Sequence, residues 1–222
     1  MKTVASIILC GGRSTRMGRP KLALPFGPET LLARVARIVS SVAGPVVVVA
    51  APGQELPELP GFVRIVRDRH EGRGPLEGML AGLSAVSDES EAAFVTSCDA
   101  PLLVPELISC LWRLLEGDDV AVPLVDGFHQ PLLAVYRTRV IPHIEALLAE
   151  DRLRPVELYD RVPTRLVSAE ELRVADPTLA SLRNLNRPEE YLAALTEAGF
   201  ALPDEGMPEL AAERSPDTLR RP

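Results

Sequence analysis

The chain has 222 residues, 46% hydrophobic and 25% charged, the balance of a globular protein large enough to bury a core without disulfide or metal staples. Lysine and arginine total 24 against 31 acids, so the net charge is −7 and the pI is near 5.1. That argues against a general nucleic-acid coat, as do aromatics at only 4%, but it leaves room for a small anion held by a few local cations.

Thr3–Leu9 (TVASIIL) is short, β-branched and closed by Gly11-Gly12, which predicts a buried first strand. A loop rich in glycine and arginine covers residues 10–20. Thr30 caps a helix predicted over 31–42, with Leu31, Leu32, Val35, Ile38 and Val39 on one face and Gly44-Pro45 as its stop. Val46–Ala50 is apolar on both faces, the mark of a central parallel strand, and a third strand is predicted over 62–66 after a proline-rich connection. Pro75 suits the first position of a helix running to about Val86.

A fourth strand is predicted over 92–97 and a helix over 104–115. Strands over 120–124 and 132–136 flank a turn at Asp126-Gly127. Helices over 139–150, 155–160 and 188–198 and a short strand over 165–167 complete the pattern. Strands alternating with helices predict an α/β fold, a three-layer Rossmann-like sandwich on a mostly parallel sheet. Residues 1–200 read as one domain. From about Ala201 onward the composition turns to Pro, Glu, Asp and Arg without apolar periodicity, so 201–222 is expected to be a mobile tail.

Cys10, Cys98 and Cys110 lack zinc-ligand spacing and are odd in number, which fits a reduced cytoplasm. No apolar run approaches the ~20 residues of a membrane span. The start, MKTVASIILCGG, passes straight into a glycine loop, unlike a signal peptide. A cytoplasmic protein with neither a membrane nor a nucleic-acid partner is expected.

Four segments can carry chemistry. The first is Leu9-Cys10-Gly11-Gly12-Arg13-Ser14-Thr15-Arg16-Met17-Gly18-Arg19-Pro20-Lys21, directly after the first strand. Glycines let backbone N–H groups approach a ligand, and the cations favour phosphate. The spacing matches neither G-x-G-x-x-G nor G-x-x-x-x-G-K-[ST]. The second is Asp99 in SCDAP at the end of the fourth strand, which reads equally as a Mg²⁺ ligand and as a turn or cap residue. The third is the turn-rich run from Asp68 through Gly74-Pro75-Leu76 to Gly78. A carboxylate there can accept from both guanine N1–H and its exocyclic amine. The fourth is Asn184-Leu185-Asn186-Arg187-Pro188-Glu189, where alternate residues of an extended segment face one way, so both amides can face one site. His129, in the turn before Pro131, reads as a solvated residue or as part of an acceptor site and is not counted as catalytic.

The first segment resembles L-x-G-G-x-x-x-R-M-G-x-x-K, the signature of the nucleotidyltransferase superfamily with a GT-A-like fold. It is most similar to the molybdenum cofactor guanylyltransferases, and the resemblance runs from Val4 to about Leu195. It implies nucleotide contacts from Leu9, Cys10, Gly11, Gly12, Asp68, Gly74, Pro75 and Leu76. Lys21 would lie on the phosphates and Mg²⁺ on Asp99, with Asn184 and Asn186 near the metal. The chain departs from the family in Cys10 where many members have alanine, and in Pro20 where they have aspartate. It also has Ala50-Ala51-Pro52-Gly53 where they place a base-contacting asparagine.

The implied reaction is GMP transfer from GTP to the terminal phosphate of molybdopterin, the nucleotide bound by the N-terminal half and the acceptor by the C-terminal half. Lys21, Asp99 and Arg16 are the expected catalytic residues, Arg16 on the grounds of charge and position. Protein partners would be molybdenum-cofactor biosynthesis proteins or acceptor molybdoenzymes, in transient contact. The alternatives are a molybdopterin cytidylyltransferase, a sugar-phosphate nucleotidyltransferase of the same fold, or a nucleotide-binding protein without catalysis.

Overall fold

The structure, a computed structural model, describes residues 3–11, 20–68 and 72–202. Strand β1 (Thr3–Leu9) leads through a short 3₁₀ turn (Lys21–Ala23) and a two-stranded hairpin, β2 (Pro25–Phe26) and β3 (Glu29–Thr30), into helix α1 (Leu31–Ser40). Then follow β4 (Val46–Ala50), β5 (Val63–Arg67), α2 (Pro75–Val86), β6 (Ser90–Ser97), α3 (Pro105–Leu114), β7 (Val120–Val125), β8 (Phe128–His129) and β9 (Leu133–Arg137). The described chain closes with α4 (Ile141–Ala149), β10 (Thr164–Ser168), α5 (Ala169–Arg173) and α6 (Pro188–Glu197). Residues 203–222, most of the expected tail, lie outside the described residues.

The main sheet runs β10-β7-β9-β6-β1-β4-β5, with β8 beside β7. β1 pairs in parallel with β4 and β6, β4 with β5, and β7 with β10. Among the described strands of this sheet, only β9 and the stub β8 run the other way. The reversal follows from the local sequence: Asp126 and Gly127 hold φ +51° and +80°, the primed two-residue turn that matches strand twist.

Alternation along the central strands builds the two faces. Ile8 of β1, Val46 and Val48 of β4, and Phe94 of β6 enter one core with Val35, Val39, Leu107, Leu111 and Leu172, under α1, α3 and α5. Ile7 and Leu9, Val47 and Val49, and Val95 enter the other with Met79, Leu83, Ile144 and Leu147, under α2 and α4. The result is the predicted three-layer sandwich.

Thr30 caps α1 as expected, its Oγ1 accepting from Ala33 N–H at 3.2 Å, and Pro75 opens α2. The expected helix over 155–160 is a 3₁₀ turn (Pro155–Leu158), and that over 139–150 is a 3₁₀ turn (Thr138–Val140) running into α4. A third cluster packs Leu24, Phe26 and Leu31 against Leu185, Tyr191 and Leu195 of the C-terminal segment.

Gly82 of α2 faces β1: a Cβ there would lie 2.5 Å from Cγ2 of Ile7. Gly82→Val is therefore expected to destabilise the fold by about 1–3 kcal/mol through overpacking. Urea denaturation checks this through a lower midpoint at unchanged m-value.

Candidate functional site

The chain leaves β1 on one side, forming β4 and β5, and returns on its other side as β6. Open α/β sheets bind ligands in the crevice beyond the strand ends at such a switch point. A cavity of about 900 Å³ lies there. Its walls come from segments that immediately follow strands: Gly11 after β1, Ala51 to Gln54 after β4, Asp68 after β5 and Asp99 after β6. Gly74 and Pro75, at the start of α2, close one side, and Leu132 and Asn184 add to the wall from the C-terminal half.

At one end a cation and a carboxylate meet from 78 residues apart. Lys21 Nζ donates to Asp99 Oδ2 at 3.1 Å and to Asn186 Oδ1 at 2.8 Å. The Lys21 and Asp99 side chains are only 16% and 15% exposed, so solvent screens the pair less than a surface one. Ser97 Oγ donates to the other Asp99 oxygen at 2.5 Å. Two features hold the asparagine segment in place. Leu185, buried between the two asparagines, donates its N–H to the Asp99 carbonyl at 3.0 Å. Glu190 of α6 accepts from the backbone N–H of both Asn186 and Arg187. Tyr191, one residue on, anchors α6 by donating its hydroxyl to the Pro25 carbonyl beside Lys21's own turn. The tertiary contact of α6 with the β2–β3 hairpin is thus what brings Asn186 to Lys21.

Asp68 forms the second focus. Its N–H is spent on the Ala50 carbonyl, while its Oδ1 is buried without a hydrogen-bond partner among the described residues. Glycine on both sides leaves room: a Cβ on Gly78 would sit 3.3 Å from Oδ1 and one on Gly11 3.8 Å from Oδ2. Burial, then the charge of Glu77, pushes the Asp68 carboxyl above its ordinary range. A buried, unpaired acceptor facing a cavity is satisfied by a ligand that donates.

The remaining predicted residues divide clearly. Leu9, Gly11, Gly74 and Pro75 line the cavity. Leu76 does not: its side chain is fully buried under α2, and it can offer only the main-chain N–H of a helix's first turn. Cys10 is likewise turned into the core, its N–H bonded to the Val49 carbonyl. Its thiol touches that of Cys98, and this contact with burial raises its pKa well above the usual value. His129 packs tilted against Tyr159, ring centroids 5.1 Å apart, and does not line the cavity. Gly12 and Arg16 lie outside the described residues.

Three contributors were not anticipated. Ser97 could have been noticed as the hydroxyl two residues before Asp99. Arg73 enters the wall as a cation, its Nη2 bonded to the Leu148 carbonyl at 2.6 Å. Gln54 turns its side chain back onto the first loop, which no spacing rule reveals.

No group of three or more His, Cys, Asp or Glu suited to a metal is found among the described residues. The donor set at Asp99 fits Mg²⁺ nonetheless. One carboxylate with the amide of Asn184 supplies hard oxygens, the expected Asn186 oxygen being taken by Lys21, and Mg²⁺ takes its remaining ligands from water and phosphate.

Residues 6–162 match the model of the MobA-like NTP transferase domain. The chain is 34% identical over 194 residues to a protein of Pelotomaculum thermopropionicum described as "Probable molybdenum cofactor guanylyltransferase", covering 87% of this chain and 93% of that one. A protein of Mycobacterium avium with the same description is 37% identical over 199 residues, covering 88% and 96%. Among solved structures, molybdopterin-guanine dinucleotide biosynthesis protein A of Archaeoglobus fulgidus superposes with a TM-score of 0.73 at 23% identity, covering 88% of this chain and 99% of that one.

Proposed function

The chain belongs to the MobA-like NTP transferase domain family, and we infer from that membership and from the cavity that it is a molybdenum cofactor guanylyltransferase, moving GMP from GTP to the terminal phosphate of molybdopterin. The observation that carries this reading is the pairing, across one crevice, of a phosphate-type centre (Lys21, Asp99, Asn186) with the unpaired Asp68 carboxylate.

GTP would lie along the crevice with its base toward Asp68 and its phosphates toward Lys21. Asp68 accepts from guanine N1–H and the exocyclic amine, the two donors that cytosine and adenine do not present together. Lys21, held by Asp99 and Asn186, faces the phosphates with a fixed positive charge. Asp99 with the Asn184 amide would hold Mg²⁺, which when bound neutralises phosphate oxygens, while the Asn186 oxygen is spent on Lys21. The acceptor's terminal phosphate attacks the α-phosphorus in line, the bond to the bridging oxygen breaks, and pyrophosphate leaves. A phosphate monoester is largely ionised at neutral pH, so the nucleophile needs no general base. Catalysis then rests on positioning and charge. Arg16 is assigned a share of the charge on the leaving pyrophosphate. The acceptor faces the C-terminal half, where Leu132 lines the cavity. Contacts with other molybdenum-cofactor proteins are proposed to be transient. No described helix is long and apolar enough to cross a membrane, in keeping with a cytoplasmic location.

Pyrophosphate release from each of the four NTPs, with molybdopterin present, with and without Mg²⁺, tests the reading. Release restricted to GTP and dependent on Mg²⁺ is expected. Preference for CTP overturns the guanine assignment, and nucleotide binding without release overturns catalysis.

Asp68→Asn separates binding from stability. A carboxyl whose folded pKa is raised supports the fold fully below its unfolded pKa, and that support is lost as pH rises through the folded value. The variant is therefore expected to melt higher than wild type at pH 7, by a margin that shrinks as the pH falls through the carboxyl range. Its affinity for GTP is expected to fall by about ten-fold, from the loss of a charged acceptor. Thermal melts across pH and a GTP titration read the two effects.

A further inference from the structure

The turn after β4 is braced far more heavily than a surface connection requires. Its first residue, Ala51, donates its N–H to Gln54 Oε1 at 2.9 Å, and its carbonyl accepts from Gln54 N–H at 3.1 Å. Arg67, the last residue of β5, spans the turn from the other side: Nη1 donates to the Ala51 carbonyl at 2.9 Å and to the Gln54 carbonyl at 2.7 Å. The free arm of the Gln54 amide, Nε2, leaves the turn altogether and donates to the Cys10 carbonyl at 2.9 Å, 44 residues earlier.

That last bond lands on the residue that begins the glycine loop. The Cys10 N–H is already bonded to the Val49 carbonyl at 2.8 Å, so both main-chain groups of Cys10 are tied to β4 and its turn. The next residue, Gly11, lies in the cavity wall beside Asp68. A shift at Cys10 is therefore passed on to the wall that faces the unpaired carboxylate.

We propose that Gln54 is a positioning residue for nucleotide recognition: its amide fixes the Cys10 carbonyl and so sets the distance between Gly11 and Asp68, which decides how well a base is discriminated. The inference rests on the nucleotidyltransferase reading above. The primary amide suits the task because one side chain must both accept, from Ala51, and donate, to Cys10. No carboxylate can do both at neutral pH. With Arg67 holding the turn's carbonyls, the Gln54 side chain is fixed in advance and loses little freedom when nucleotide binds.

Two variants divide the arms. Gln54→Glu keeps the acceptor for Ala51 N–H and places a carboxylate against the Cys10 carbonyl, whereas Gln54→Ala removes both contacts. Gln54 is half-buried on a surface turn, so both variants are expected to fold. Equilibrium titration of the full-length chain with GTP, ATP, CTP and UTP at pH 7.5, with melts alongside, gives the result. Both variants should bind GTP about five- to ten-fold more weakly, the range of one lost hydrogen bond. Their preference for GTP over the other three should narrow, with melting temperatures close to wild type. Wild-type affinity and preference in Gln54→Glu would place the role in the turn alone and overturn the proposal, as would a lowered melting temperature with unchanged preference. If the wild-type chain binds none of the four nucleotides, the nucleotidyltransferase reading itself fails, whatever the variants do.

Discussion

Replacing Lys21 by alanine is expected to lower pyrophosphate release from GTP by about 10²–10³-fold, the cost of losing one preorganised charge at a reacting centre. The expectation follows from how the ammonium is held. Its two bonds, to Asp99 and Asn186, fix it beside Asp99, which lines the cavity, before any substrate arrives, so little reorganisation remains at the moment of reaction. Removing it also leaves the mostly buried Asp99 carboxylate without a counter-charge, so repulsion of phosphate adds to the loss. Lys21→Arg should recover only part of the rate: the charge survives, but the planar fork cannot reproduce two short bonds from one compact centre. Steady-state kinetics with GTP and molybdopterin decide the matter, and near-normal turnover in the alanine variant would refute the assignment.

Asp99→Asn is the second large effect. Its size is grounded in the several kcal/mol that a metal contributes to charge neutralisation, which corresponds to about a 10³-fold loss of turnover. The amide keeps one oxygen for Lys21, and its NH2 can donate to the Ser97 hydroxyl that now donates to Asp99, so packing is largely retained. What is lost is the negative charge that would draw Mg²⁺. Two readouts should therefore separate: the Mg²⁺ concentration giving half-maximal release rises steeply, while GTP binding measured without metal changes little. If the variant keeps the wild-type Mg²⁺ dependence, Asp99 is a turn and capping residue, the other reading its position allows.

The two foci differ in how they could be found. Lys21 and Asp99 announce themselves locally, a lysine closing a glycine loop and an aspartate ending an apolar strand. Their mutual contact does not, because 78 residues separate them and only the parallel pairing of β1 with β6 brings the strand ends side by side. Asp68 is similar: its position after a strand is visible in the sequence, but its unpaired oxygen and raised pKa come from the Gly78 and Gly11 surroundings and from Glu77. Leu76 shows the opposite case. It belongs to a recognisable Gly-Pro-Leu run, yet helical geometry turns its side chain into the core while Gly74 and Pro75 face the cavity.

By itself the sequence determined the layered α/β architecture, because uniformly apolar strands such as Val46–Ala50 are stable only when covered on both faces, and Thr30 and Pro75 mark helix starts by their own chemistry. It also located the glycine loop and, in Lys21 and Asp99, the two charged residues that meet beside the cavity. Only the tertiary structure decided which of these meet. The β2–β3 hairpin and α6 carry no strong periodic signal, yet burial of Phe26, Leu31, Tyr191 and Leu195 in a shared cluster moves Asn186 onto Lys21. The Gln54 brace arises in the same way. Bonds between groups distant in the chain depend on where the backbone returns, and that is set by the core as a whole rather than by any local pattern.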